Sequence, residues 1–174
     1  DPMDPDTQIG PVSTKDQYEK VQSYIKIAQD EGAICAFGGQ AVAREGYFVE
    51  PTVLTGVTNQ MRVAREEIFG PVLSIIPFGN DDEAIEIAND TPYGLAAGVW
   101  TRDIARAFKY TRQLKAGTIW VNAYRVVSYM VPFGGFKQSG IGRENGQEMV
   151  REYLQSKSVY INLESSVPNP FVLR

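Results

Sequence analysis

Histidine is absent from this sequence of 174 residues, and cysteine occurs once, at Cys35. Without an imidazole there is no Ser-His-Asp triad, no Cys-His pair and no histidine metal site. A single thiol rules out a disulfide within the chain and a thiolate zinc cluster. Acid–base chemistry built from these residues alone would fall to carboxylates, lysines and tyrosines. No apolar run reaches the roughly 20 residues of a membrane span, and no signal-peptide pattern is present. Basic residues number 17 against 21 acidic ones and are scattered, which argues against a nucleic-acid surface. With neither nucleic acid nor membrane indicated as a partner, a cytoplasmic location is expected.

What is present has the balance of a soluble globular protein, 43% apolar and 22% charged. The length suits one domain or part of a larger protein. The first residues, DPMDPDTQIGPVS, hold three prolines and read like a loop already inside a longer chain.

Thr14 and Gln17 have capping-box spacing, and Tyr18, Val21, Ile25 and Ala28 recur at helical intervals up to Gly32. AICAF (33–37) reads as a short strand. YFVEPTVLTGV (47–57), interrupted by Pro51, reads as an edge strand or two short pieces. VLSIIPF (72–78) has the continuous apolar character of a strand buried on both faces. A short amphipathic helix (81–90), a strand (96–101), a helix (103–114) and a strand (117–122) follow. Ile104, Ala107, Phe108, Thr111 and Leu114 share one face of the second helix. Strands alternating with helices over short links imply a parallel sheet. A long loop, a helix over 146–154 and a strand KSVYINL (157–163) complete the chain.

The loop contains PFGGFKQSGIGREN (132–145), a candidate phosphate cradle. It fails as one. A P-loop places Lys-Ser or Lys-Thr after its last glycine, where Ile141 and Gly142 stand. Gly140, Gly142 and Gly146 miss the dinucleotide fingerprint by one residue, and a long loop separates the motif from the preceding strand. Glycines that permit a tight turn or close backbone approach are the plainer reading.

Six stretches together resemble the NAD(P)-dependent aldehyde dehydrogenase superfamily. They are QIGPVST (8–14), YFVEPTVL (47–54), EEIFGPVLSI (66–75), NDTPYGLAAGVWT (89–101), AGTIWVN (116–122) and PFGGFKQSGIGREN (132–145), in the family's order. The resemblance covers residues 8–163 and implies an α/β fold, a three-layer Rossmann-like architecture with a mostly parallel sheet. It implies the C-terminal catalytic-domain portion (1–156) followed by an oligomerisation strand and tail (157–174). The implied reaction oxidises an aldehyde to a carboxylic acid: a thiolate attacks the carbonyl, hydride passes to the nicotinamide, and water hydrolyses the thioester. The nucleophilic cysteine, the activating glutamate and the Rossmann domain of such enzymes have no counterpart in this chain. Cys35, in GAICAFGG, does not match the nucleophile's motif and reads as an inert buried thiol.

The resemblance also implies roles for individual residues. Glu67 would accept hydrogen bonds from the nicotinamide-ribose hydroxyls of NAD or NADP, as one carboxylate suits two vicinal hydroxyls. Phe69 would pack beside that ribose, and Glu66 reads as structural. Glu144 corresponds to a family glutamate of a charge-relay path; a structural ion pair with Arg143 or a neighbour stands as its alternative. Lys137 and Gly140 match positions that bind potassium in some members, through backbone carbonyls. Tyr124, Val127 and Phe133 would line the aldehyde tunnel, where tyrosine can also face a cationic head, and Arg125 leaves the substrate open. A homo-oligomer, dimer or tetramer, is expected. The competing reading is a free-standing association module without catalysis.

Overall fold

A computed structural model describes residues 1–165, 169 and 171. Helix α1 (Lys15–Asp30) starts at the expected cap: the Thr14 hydroxyl accepts from the Gln17 amide at 3.2 Å. Its apolar stripe of Val21, Tyr24, Ile25 and Ala28 is buried, and Gly32 leaves the helix at φ 101°. The stripe packs over a three-stranded sheet. Strand β1 (Ile34–Phe37) pairs antiparallel with β2 (Thr52–Thr55), which pairs in parallel with β3 (Val72–Ser74). Leu54, in the central strand, is fully buried between them. The segment around Pro51 resolves into two pieces, a single bridge from Val49 to Ala41 and then β2. Proline has no amide to give to a ladder, so it falls in the gap between the pieces.

Strand β3 departs from expectation. It is three residues long and an edge, with Leu73 59% exposed. The apolar run over 72–78 therefore lacks, among the described residues, the neighbour that would cover its second side. A single helical turn, α2 (Arg62–Arg65), precedes it.

Helix α3 (Asp81–Asn89) is capped by the Asn80 side chain, which accepts from the Asp82 and Glu83 amides at 3.1 and 3.0 Å. Its first turn carries Asp81, Asp82 and Glu83, where the helix dipole favours negative charge. Strands β4 (Tyr93–Gly94) and β5 (Ala96–Val99) follow, then α4 (Ile104–Gln113), β6 (Thr118–Val121), β7 (Phe136–Lys137) and α5 (Glu148–Glu152). Strands β5 and β6 are parallel, whereas β4 and β7 are antiparallel.

The α/β class and the two parallel pairs stand as expected, but the strands fall into three short sheets, and β3 does not pair with β5. Ala107 and Leu114 of the α4 face are buried, whereas Ile104 and Phe108 are exposed. Helix α5 is shorter than the 146–154 expected. Residues 157–163 form no strand, and Val159, Ile161 and Leu163 are exposed. Apolar alternation alone does not make a strand; an edge to pair with is required. Part of the expected tail, at 166–168, 170 and 172–174, lies outside the described residues.

Candidate functional site

Residues 66–70 leave the single turn of α2 and enter β3 as a loop clamped to α1. Gln17 Nε2 donates to the carbonyls of Ile68 at 2.7 Å and Phe69 at 2.9 Å. Lys20 Nζ donates to the carbonyl of Glu67 at 2.7 Å. Phe69 sits at φ 56°, a left-handed conformation that a bulky residue keeps only when its surroundings impose it. The next residue must be small, since a Cβ on Gly70 would lie 2.4 Å from Val21 Cγ2 of α1.

Glu66 is fully engaged, as the structural reading expects. Arg62 Nε and Nη2 each donate to its carboxylate at 2.9 Å, and the Tyr24 hydroxyl donates to it as well. These donors, Arg62 first, pull the Glu66 carboxyl down to about 2, while the hydrogen bond to Glu66 pushes the Tyr24 phenol up. Glu67 is the opposite case. Its backbone is held, yet its exposed carboxylate makes no hydrogen bond or ion pair among the described residues. A fixed main chain bearing an unengaged carboxylate is what a binding residue requires. Phe69, 71% exposed, lines a different hollow with Glu66 and Leu73.

Glu67 lines a hollow of about 210 Å³ with Thr91, Tyr93 and Ser139. Two motifs interlock there. Besides the β4–β7 ladder, Gln138 donates its amide to the Pro92 carbonyl at 3.0 Å, and the Gly94 amide donates to Ser139 Oγ at 2.9 Å. Lys137 Nζ donates to the carbonyls of Asn89 and Thr91 at 2.8 and 2.9 Å, placing its charge at the C-terminal end of α3. The ammonium thus serves as a built-in cation, and only the Lys137 carbonyl is left for an external one. Gly140, at φ 128°, turns the loop with open space around its Cα.

Phe133, Gly140 and Glu144 line one hollow of about 590 Å³. Phe133 and Glu144 exchange both backbone hydrogen bonds at 2.7 Å, which pins the two ends of the glycine loop together. Among the described residues, Glu144 makes no ion pair, the role offered as its alternative. Arg143 instead donates to the carbonyls of Gly142 at 2.7 Å and Gly135 at 3.1 Å, and lies over the Phe136 ring.

Tyr124 and Val127 are not gathered into either hollow. They sit on an exposed loop that Trp120 anchors: its Nε1 donates to the Val126 carbonyl at 2.8 Å, and its ring meets Tyr124 edge-on at 5.8 Å. Arg125 beside them adopts φ 57°. Cys35 is half-buried rather than buried, because β1 is an edge strand. Its thiol donates to the carbonyls of Phe37 and Gly38 at 3.4 Å.

Two residues at this site were not legible as functional. Gln17 reads as the second half of a capping box, and Lys20 carries no motif. Only the Thr14 half of the box forms, because the Gln17 amide is drawn to the 66–70 loop. Their partners lie 47 to 52 residues away along the chain, and no local pattern encodes such a contact.

Comparison with known proteins shows the family and the fold. The aldehyde dehydrogenase family matches residues 1–159. A betaine aldehyde dehydrogenase of Mesorhizobium japonicum is 52% identical over 174 residues, covering 98% of this chain and 36% of its own length. A putative aldehyde dehydrogenase of Bacillus subtilis is 52% identical over 159 residues, covering 91% of this chain and 32% of its own. Among solved structures, betaine aldehyde dehydrogenase from Staphylococcus aureus in complex with NAD+ superposes with a TM-score of 0.91 at 43% identity. It covers 97% of this chain and 34% of its own. An aldehyde dehydrogenase from Bacillus cereus in complex with NAD+ gives 0.89 at 48% identity, covering 93% and 33%. The chain therefore spans about a third of the length of the relatives it matches.

Proposed function

This chain belongs to the aldehyde dehydrogenase family, and from that premise we propose that it works as part of a longer enzyme oxidising an aldehyde to a carboxylic acid with NAD+ or NADP+. The observation that carries this reading is Glu67: a carboxylate with a fixed backbone and no partner among the described residues fits a vicinal diol, such as a ribose, brought to it. When bound, the nicotinamide accepts a hydride. This chain's share of the work is to orient. Glu67 holds the ribose hydroxyls, and Phe69 covers an apolar side of the same group.

Tyr124, Val127 and Phe133 form the wall along which the aldehyde enters in this reading, and Glu144 moves a proton. Potassium, where bound, meets Lys137 and Gly140 through their carbonyls. The rest of the enzyme supplies the nucleophilic thiolate and the cofactor domain, and works in the cytoplasm. The names of the relatives make betaine aldehyde the first substrate to try. Tyr124 offers an aromatic ring to its cationic head, while Arg125 opposes one, so neutral aldehydes belong in the same panel. The complete enzyme should reduce NAD+ or NADP+ with at least one aliphatic, aromatic or amino aldehyde. This chain alone should give no more turnover than its Cys35→Ala variant. Failure of the complete enzyme on the whole panel would overturn the assignment, and activity of the chain alone would show that its 174 residues hold a full active site.

Residues 1–156 act as catalytic-domain portion and 157–174 as an association segment. Val159, Ile161 and Leu163 alternate with polar residues and stand exposed, so 157–163 would pair as a strand with an edge in another copy of the protein. Removing residues 157–174 from the complete enzyme should lower its oligomeric state in sedimentation; an unchanged assembly would count against this role.

A further inference from the structure

The single turn of α2 is far too short to hold a direction by itself, yet Glu67 follows it by two residues. Glu66, its C-cap, is extended at φ −110° and ψ 145°, so the chain changes course at the residue before Glu67. We propose that Tyr24, Arg62 and Glu66 form a positioning unit that aims the Glu67 carboxylate. The inference rests on the reading of Glu67 as a cofactor contact.

Arg62 grips Glu66 with both prongs of its guanidinium, at 2.9 Å each. A two-pronged bond fixes orientation as well as distance. The Glu66 and Arg62 side chains are 42% and 48% exposed, and pairs so open to solvent stabilise folds weakly. What distinguishes this pair is its third member. The hydroxyl of Tyr24, itself buried in α1, donates to Glu66, and the Arg62 guanidinium lies over the Tyr24 ring at 5.3 Å. One and two turns earlier on α1, Lys20 and Gln17 hold the carbonyls of residues 67–69. Four successive residues, 66–69, are thereby referred to one rigid helix, and the Glu67 carboxylate is left unengaged among the described residues. The unit persists at working pH. Because the folded-state pKa of Glu66 is lowered, to about 2, the pairing is complete above the ordinary value of 4.5 and is lost only as pH falls through about 2.

The test compares Glu66→Gln, Arg62→Lys and Tyr24→Phe with Glu67→Gln in the complete enzyme. A displaced carboxylate should slow hydride transfer without changing how the aldehyde binds. Glu66→Gln and Arg62→Lys should each lower kcat by about tenfold or more, and leave the aldehyde KM within about twofold. Arg62→Lys keeps the charge and loses the fork, so it separates geometry from charge. Slower hydride transfer should also raise the isotope effect of a C1-deuterated aldehyde, a readout that a purely structural role would not move. Parental kcat and isotope effect in Glu66→Gln, with Glu67→Gln slow, would overturn the positioning unit alone. Parental behaviour in both would overturn the reading of Glu67 and this inference with it. A rate loss in Glu66→Gln that tracks unfolding, with the other two variants at parental rate, would also overturn it.

Discussion

Glu67→Gln in the complete enzyme is expected to lower kcat by roughly 10–100-fold, with a smaller change in the affinity for NAD+. The amide keeps the shape of the side chain and gives up one acceptor oxygen and the charge. Charge-assisted hydrogen bonds contribute about 1.5–3 kcal/mol each, and about 1.4 kcal/mol is a factor of ten in rate. The loss should fall on the rate because one side chain would be a small part of the surface that holds a dinucleotide, whereas the position of the reacting ring is sensitive to small displacements. Nothing in the fold opposes the substitution. The Glu67 carboxylate is exposed and unpaired among the described residues, and its main chain is held by Lys20 at 2.7 Å through the carbonyl, which glutamine retains. The melting temperature should therefore stay at the parental value. Single-turnover hydride transfer at the parental rate would remove Glu67 from the cofactor site.

Gly117→Ala is expected to have the largest effect on stability. A Cβ at Gly117 would lie 1.7 Å from the carbonyl oxygen of Gly134 and 2.9 Å from its carbon. The obstacle is backbone, so no side-chain rotation can relieve it, and either β6 or the PFGG turn must move. Overpacking of this kind costs about 1–3 kcal/mol and more when the main chain has to shift, or roughly 2–4 °C of melting temperature per kcal/mol for a chain of this size. Displacing Gly134 would also loosen the turn that Arg143 ties at Gly135 and Gly142, so activity should fall with stability. Gly10→Ala is the matched control, because a Cβ there meets nothing within 4 Å. Equal melting temperatures for the two variants would show that the close approach of Gly117 to Gly134 is absent from the folded enzyme.

Much of the local structure was legible because it depends on neighbours in sequence. The Thr14 cap and the buried stripe of α1 follow from helical spacing, and α3, α4 and the β5 and β6 strands follow from the alternation of apolar runs with amphipathic ones. The glycines of the 132–145 loop have the geometry of turns and close approaches. Gly134 and Gly135 serve close approach, to the Gly142 and Ser139 carbonyls, and Gly140 and Gly142 supply left-handed turns. Burial was less legible. VLSIIPF looks like a central strand and forms a short edge, and Ile104 and Phe108 occupy a helix face that is half covered. An apolar pattern states which side of an element needs covering, and says nothing about what covers it.

The sequence by itself determined the family, the α/β class, the roles excluded by the missing histidines, and the candidacy of Glu67 over Glu66. Motif order and residue chemistry are properties of the chain read in one dimension. Only the tertiary structure decided why those two adjacent carboxylates differ. Glu66 is spent on Arg62 and Tyr24, while the Glu67 carboxylate is unengaged among the described residues and its carbonyl is tied to Lys20. It also turned Gln17 from a helix cap into a loop clamp, and placed the Lys137 ammonium at the end of α3. Each of these outcomes depends on a partner 42 to 52 residues away along the chain, joined for Glu66 by an i, i+4 partner as well. A polar side chain takes whichever partner the fold brings within about 3 Å, and that partner is fixed only when the chain closes on itself.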